Sequence, residues 1–261
     1  MSSNTVLICP PTFFDVTYAI NPWMKGDIVD HDLAATQWNE FHTHLVKIGA
    51  SIKMMPPMPG LPDLIFTANA GTVRDTEIVL SNFRHPERQH ERGEFDSWFQ
   101  RNGYITHILP DNVFFEGSGD TIVTGDSMIA GYGFRSDKLA LDLAADLLDL
   151  NLIPLKLKDP RFYHLDTCFC LLRRDLAIYH PGAFSKQGIS KLKDIELIPI
   201  VEEDALRFAC NSVVYDDNIL MPAGCDQTAE LLRDRGFDVT LLNTSEFLKS
   251  GGSLQCMALW I

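Results

Sequence analysis

Phe114-Phe115-Glu116-Gly117-Ser118-Gly119-Asp120-Thr121-Ile122-Val123-Thr124-Gly125-Asp126-Ser127-Met128-Ile129-Ala130-Gly131 reads as a glycine-rich polar loop, an apolar run, a tight polar turn and a second apolar run. Two short apolar runs joined by a Gly-Asp turn are the mark of a β-hairpin. The pattern recurs along the chain. Leu64 to Leu80 reads as strand, polar turn at Arg74-Asp75-Thr76, strand. Tyr163 to Pro181 repeats it with a turn at Arg173-Arg174-Asp175, and Phe208 to Pro222 with Tyr215-Asp216-Asp217-Asn218. In each copy a polar residue of functional type stands ahead of the first apolar run.

Helical patterns lie between the hairpins. Ala34 to Lys47 sets Trp38, Phe41 and Leu45, with Ile48 just beyond, at the spacing of one helix face. Lys138 to Leu150 does the same with Leu139, Leu143, Ala144, Leu147 and Leu148. Gln227 to Arg235 is a shorter helix that Gly236 is suited to cap. Each leads into a further strand: Ser51 to Met55, Leu152 to Lys156, and Asp238 to Leu242. The unit is hairpin, helix, strand, recurring about every fifty residues. Five units fit if one is split between the two ends of the chain. No unit buries both faces alone, so a closed α/β ring about a pseudo-fivefold axis is expected. The polar loops at Asn69, Glu116, His164 and Cys256 would then converge on one central pocket.

Composition excludes several classes. With 46% hydrophobic and 22% charged residues, the 261-residue chain reads as an ordinary globular protein, a single domain over 1–261. The net charge of -13 and the absence of a basic stripe argue against a nucleic-acid partner. There is no signal-peptide pattern and no membrane-length apolar window, so no membrane association and a cytoplasmic location are expected. Six cysteines without a disulfide pattern read as reduced thiols. No CxxC pair or His/Cys spacing points to a metal, and no cofactor is expected.

One cysteine stands apart. Ser250-Gly251-Gly252-Ser253-Leu254-Gln255-Cys256-Met257 places Cys256 behind a glycine pair, whereas Cys9, Cys168, Cys170, Cys210 and Cys225 have the apolar or small neighbours of structural thiols. Cys256 is the candidate nucleophile, set against the plainer reading of a buried cysteine. His164 is the candidate acid and base, set against a core histidine.

The residues Phe66-Thr67-Ala68-Asn69, Glu116-Gly117-Ser118-Gly119-Asp120, His164-Leu165-Asp166-Thr167 and Gly251-Gly252-Ser253 leading to Cys256 resemble the guanidino-group-modifying enzymes of the pentein fold. The likeness covers the whole chain with the motifs in the family's order. It implies a five-bladed α/β propeller and a cofactor-independent cysteine hydrolase of a small guanidino substrate, arginine or a methylated arginine. Asp15-Val16-Thr17-Tyr18-Ala19-Ile20-Asn21-Pro22-Trp23-Met24, together with Asn69 where arginine deiminases carry Asp, looks like the arginine dihydrolase group. That group converts arginine to ornithine, ammonia and carbon dioxide.

The resemblance also implies roles. Cys256 attacks the guanidinium carbon, His164 protonates the leaving nitrogen and then activates water, and Glu116 pairs with His164 or the guanidinium. Asp166 would grip guanidinium nitrogens. It is expected to share a strand face with His164, or else to be a turn-capping aspartate. Arg135 and Arg88 match positions that hold the substrate carboxylate, with exposed loop or helix arginines as the alternative. Asn21 would contact substrate. Phe66 and Trp23 would wall the pocket or simply pack. Asp63 and Asp120 would touch ligand or stabilise turns. A dimethylarginine dimethylaminohydrolase, an arginine deiminase, an amidinotransferase and, outside catalysis, a pentein interaction protein are the competing readings. A homo-oligomer is a further expectation from the resemblance. A papain-like protease is disfavoured because its cysteine precedes its histidine.

Overall fold

The computed structural model describes residues 4–261, so the first three residues of the expected 1–261 domain lie outside the description. Strand β1 (Thr5–Ile8) pairs in parallel with β2 (Ser51–Met54). Strands β3 (Gly71–Arg74), β4 (Glu77–Leu80) and β5 (Ile105–His107) make the next sheet. Another holds β6 (Thr121–Thr124), β7 (Ser127–Tyr132) and β8 (Asn151–Lys156). Then come β9 (Phe169–Arg173), β10 (Leu176–Tyr179) and β11 (Glu196–Pro199). They are followed by β12 (Val213–Tyr215), β13 (Asn218–Pro222) and β14 (Asp238–Leu242). Finally β15 (Leu259–Trp260) returns to β1, antiparallel, with Val6 opposite Trp260.

The five sheets are alike: a central strand with an antiparallel neighbour on one side and a parallel one on the other. The split unit is the one joined across the chain ends. Three hairpins turn through a residue of positive φ, Asp75 (54°), Gly125 (57°) and Asp216 (52°). Asp and Gly suit that backbone region, which explains the polar turns in the sequence. The hairpin at Arg174-Asp175 instead carries a register shift between Leu176 and Ala177.

The loops ahead of the hairpins differ from expectation. Leu64 to Ala70 is not a strand but two 3₁₀ turns, Pro62–Ile65 and Thr67–Ala70. Leu165–Thr167 is likewise a 3₁₀ turn, so His164 and Asp166 do not share a strand face. One backbone bond closes such a turn in every unit: Asn69 N to Phe66 O, Asp120 N to Gly117 O, Cys168 N to Leu165 O, Asn211 N to Phe208 O and Met257 N to Leu254 O. These turns point the chain at the hub before it enters the sheet.

Hydrogen bonds then link each turn to the next. Asn69 Nδ2 donates to Glu116 O (3.3 Å), Leu165 N to Asp120 Oδ1 (3.1 Å) and Asn211 Nδ2 to Asp166 O (3.2 Å). Gln255 N donates to Asn211 O (3.1 Å), and Ala68 N to Cys256 O (3.1 Å), which completes the circle.

Helices pack outside the ring. His31–Lys47 starts three residues before the expected Ala34, because the Asp30 side chain caps Leu33 N. Asp226–Arg233 ends before Gly236, whose φ of 89° fits the reversal there. Lys138–Leu147 corrects the expected face. Leu139 is 56% and Leu147 43% exposed, while Ala140, Leu141, Ala144 and Ala145 are buried. The inner face combines three alanines with Leu141, while Leu139 and Leu147 face outward. A helix that the sequence pattern did not reveal, Glu91–Arg101, buries Phe95, Trp98 and Phe99 beside β4 and β5. No helix among the described residues is long and apolar enough to cross a membrane.

Candidate active site

A narrow pocket opens at the hub. Asn21, Phe66, Asn69, Arg88, Arg135, His164 and Cys256 all line it, with Asp63 and Tyr163. Seven of the ten sequence candidates therefore meet on one wall system. Glu116 and Asp120 stand behind it, and Asp166 adjoins it through the Cys256 thiol to which it is bonded.

Cys256 arrives on the turn before β15. Gly252, four residues earlier, packs against the ring of Phe66. A Cβ there would lie 2.3 Å from a ring carbon, so only glycine admits this approach. The thiol donates to Asp166 Oδ2 (3.3 Å) and Sγ accepts from Asn211 Nδ2 (3.1 Å). Burial, and then the Asp166 charge, push the thiol pKa well above its ordinary value, so in the free protein Cys256 is a neutral thiol. Burial also pushes Asp166 up to about 7, against the lowering effect of its bonds from Cys256 and Asn211. Asp166 Oδ1 is buried and has no hydrogen-bond partner.

His164 enters from the third unit. Its Nε2 lies 2.8 Å from Glu116 Oε2, the oxygen that also accepts from Arg135 Nη1 (2.8 Å). Glu116 Oε1 accepts from Arg84 N (3.2 Å). Burial opposes ionisation of Glu116, but Arg135 and His164 outweigh it and hold the carboxyl well below the usual carboxylate range. A carboxylate fixed against imidazole orients the ring. Gly119 makes room: a Cβ there would sit 2.3 Å from Asn69 Nδ2 and 3.1 Å from His164 Nδ1.

The two arginines differ. Arg135 donates to Glu116 and to Ile20 O (3.0 Å) and stacks over the Tyr163 ring at 4.6 Å, leaving further N–H donors uncommitted. Arg88 is buried rather than exposed. It forks onto Glu91 (2.8 and 2.7 Å) and donates to Asn69 Oδ1 (2.9 Å) and Asp63 O (3.3 Å). Four of its five donors are thus engaged. Arg88 fixes which way the Asn69 amide points.

Asn21 Nδ2 donates to Ser250 O (3.0 Å), tying the Asn21–Met24 segment across the cavity mouth. Trp23 does not wall the cavity; its Nε1 donates to Arg161 O (2.8 Å) and its ring meets Phe208 edge-on. Asp120 does not reach the cavity either. Its oxygens accept from Ser136 Oγ (2.7 Å) and Leu165 N (3.1 Å), so it braces two units against each other. Asp63 does line the cavity, accepting from Tyr18 and Ser250 hydroxyls (2.9 and 3.1 Å).

Sequence reasoning passed over Asn211 and Tyr163. Asn211 precedes the apolar run of the fourth unit, the place where the repeat puts a polar functional residue in every other unit. That positional signal was present, but an uncharged Asn followed by Ser reads as an ordinary turn. Tyr163 sits beside His164 and donates to Gly251 O (2.6 Å), steadying the loop that leads to Cys256. No group of three or more His, Cys, Asp or Glu among the described residues is arranged to hold a metal ion.

A thiol, an imidazole held by a buried carboxylate and an arginine with free donors, gathered at the hub of five α/β units, are the arrangement that the likeness to the guanidino-group-modifying pentein family led one to expect. A family model described as N,N dimethylarginine dimethylhydrolase, eukaryotic, matches residues 19–261, and the chain belongs to that family.

The relatives agree in kind and differ in reaction. The chain is 42% identical over 262 residues to the bifunctional arginine dihydrolase/ornithine cyclodeaminase AgrE of Nostoc sp., covering 97% of this chain and 37% of that protein. It is 38% identical over 255 residues to the N(G),N(G)-dimethylarginine dimethylaminohydrolase of Mycobacterium tuberculosis, covering 97% and 84% of the two chains. Among solved structures, the substrate-bound N-terminal domain of ArgZ, a cyanobacterial arginine dihydrolase, superposes with a TM-score of 0.94 at 40% identity. It covers 98% of this chain and 97% of that one. The chain spans 37% of the length of the two bifunctional curated relatives, AgrE and ArgZ.

Proposed function

We propose that this chain hydrolyses the guanidino group of L-arginine through a covalent adduct on Cys256, carrying arginine and two waters to ornithine, two ammonia and carbon dioxide. The observation that carries the reading is the unpartnered Oδ1 of Asp166 beside the Cys256 thiol. A buried carboxylate oxygen without a donor is costly, and a guanidinium N–H supplies the missing one.

The steps follow from the side chains. A guanidinium bound to Asp166 brings a positive charge next to Cys256 and favours loss of the thiol proton. Sγ then bonds to the guanidinium carbon. His164, oriented by Glu116, gives a proton to one amino nitrogen, the C–N bond breaks and ammonia leaves. Neutral His164 next accepts a proton from water as the water attacks the same carbon and the C–S bond breaks. Arg135 pairs with the substrate carboxylate, assisted by the remaining donor of Arg88. Asn21 and Phe66 confine the substrate stem.

Asn69 bears on whether a second hydrolysis follows. A neutral amide in place of a carboxylate binds the cation less tightly and accommodates a neutral ureido group, so bound citrulline remains for a second attack. The similarity to AgrE and ArgZ supports this dihydrolase outcome over a single hydrolysis. Dimethylarginine hydrolysis is the second reading, favoured by the family match and the M. tuberculosis relative. The six unpaired cysteines suit a reducing cytoplasm.

The test is a product assay on L-arginine and on methylated arginines. Ornithine with two ammonia per arginine is expected, no turnover by Cys256→Ser, and a shift of the ornithine-to-citrulline ratio by about tenfold or more towards citrulline in Asn69→Asp. Citrulline as the sole product of the unaltered chain would overturn the dihydrolase reading. An unchanged ratio in Asn69→Asp would remove Asn69 from the explanation.

A further inference from the structure

Asn211 is fully buried, and every hydrogen-bonding group of its side chain is committed to the nucleophile's surroundings. Oδ1 accepts from Cys256 N (3.2 Å); Nδ2 donates to Cys256 Sγ (3.1 Å) and to Asp166 O (3.2 Å). The partners dictate this orientation, since a backbone N–H must face the amide oxygen and a backbone carbonyl the amide nitrogen. The amide is locked with one N–H aimed at sulfur.

The sulfur thus lies between opposites. On one side Asp166 Oδ2 accepts the S–H proton, an arrangement available only to the neutral thiol. On the other side Asn211 offers a donor. A thiol sulfur is a weak acceptor, but a thiolate is anionic and bonds such a donor much more strongly. Resting on the nucleophile reading of Cys256 above, we propose that Asn211 is a further catalytic residue. Its Nδ2–H receives the charge on Sγ when Cys256 ionises and holds the thiolate facing the cavity.

The electrostatics at the site agree. Burial and the Asp166 carboxylate work against ionisation, whereas the bonds from the Ser253 backbone and the Asn211 side chain work for it. Among the described residues, no lysine or arginine is a hydrogen-bond partner of Sγ. A neutral amide therefore does at this site the work that a cation does for many reactive thiols. It also adds no positive charge to compete with a cationic substrate for Asp166.

The experiment measures the rate of Cys256 alkylation by iodoacetamide as a function of pH, resolved by peptide mass spectrometry on the full chain, with steady-state kinetics alongside. Asn211→Asp keeps the shape and the acceptor for Cys256 N but replaces the donor with a carboxylate; Asn211→Ala removes both. The midpoint is expected to rise by about one pH unit or more in Asn211→Asp and by less in Asn211→Ala. The value of kcat is expected to fall about tenfold or more, with KM little changed. Midpoint and kcat equal to those of the unaltered chain in both variants overturn the proposal.

A second reading needs no variant. The side-chain amide protons of Asn211 in the unaltered chain, followed by ¹⁵N-edited NMR, should move downfield at the pH where the thiol ionises. A resonance that ignores that transition overturns the proposal as well. If instead Cys256→Ser still turns over arginine, the nucleophile reading itself has failed, whatever Asn211 does.

Discussion

Asp166 has one oxygen bonded to the Cys256 thiol and the other unpaired in the interior. With its pKa pushed up to about 7 by burial, it is protonated below that pH and ionised above it. Only the ionised form pairs with a guanidinium. Arginine binding to Cys256→Ser, measured by calorimetry, should therefore tighten as pH rises through about 7, weakening roughly tenfold per unit below it. Asp166→Asn should flatten that dependence; a slope that survives the substitution would assign the titration elsewhere. The sequence made Cys256, His164, Glu116 and Asp166 visible because their chemistry is conspicuous and their motifs stand in order. It could not show what separates Arg88 from Arg135. Both look like surface arginines in a string of letters, and only the Glu91 fork makes Arg88 a support for Asn69. Asp120 failed in the opposite way: a carboxylate within a glycine-rich motif serves as a brace between units.

At the level of elements, the hairpins were legible and the pieces around them less so. Short apolar runs and Asp or Gly turns survive in the text of a sequence because each hairpin is a local structure. The helix at Glu91–Arg101 went unseen because Gly93 and seven polar or charged neighbours surround only Phe95, Trp98 and Phe99. At Lys138–Leu147 the helix was legible but its inner face was not. Leu139 and Leu147 attract attention, whereas the inner face is Ala140, Leu141, Ala144 and Ala145. That correction has a measurable consequence. Leu141→Ala should lower stability to denaturant by about 2–5 kcal/mol, and Leu139→Ala by no more than about 0.5 kcal/mol. The reverse order would restore the face expected from the sequence. The 3₁₀ turns escaped notice because they bear no periodicity; they are set by contact with the neighbouring unit's turn.

For the molecule as a whole, the ring and its split unit were legible from the count of repeats, because four internal copies leave one strand pair to be found at the two ends. The pairing of β15 with β1 is what carries Cys256 to the hub. Removing Leu259–Ile261 leaves every site residue in the chain but takes away that pairing and the buried Leu259 side chain. We expect Tm to fall by roughly 10 °C and Cys256 to lose its turnover of arginine. A truncated chain with the original Tm and activity would show that the ring does not need its closing strand. The same closure sets an order of events during synthesis. On the ribosome, the four internal units can pair within themselves as they emerge, while β1 keeps an open edge until β15 appears. His164 and Glu116 can meet long before the thiol joins them. A nascent chain interrupted anywhere before that point therefore lacks a complete hub, and the site is assembled only when synthesis has run through the last blade.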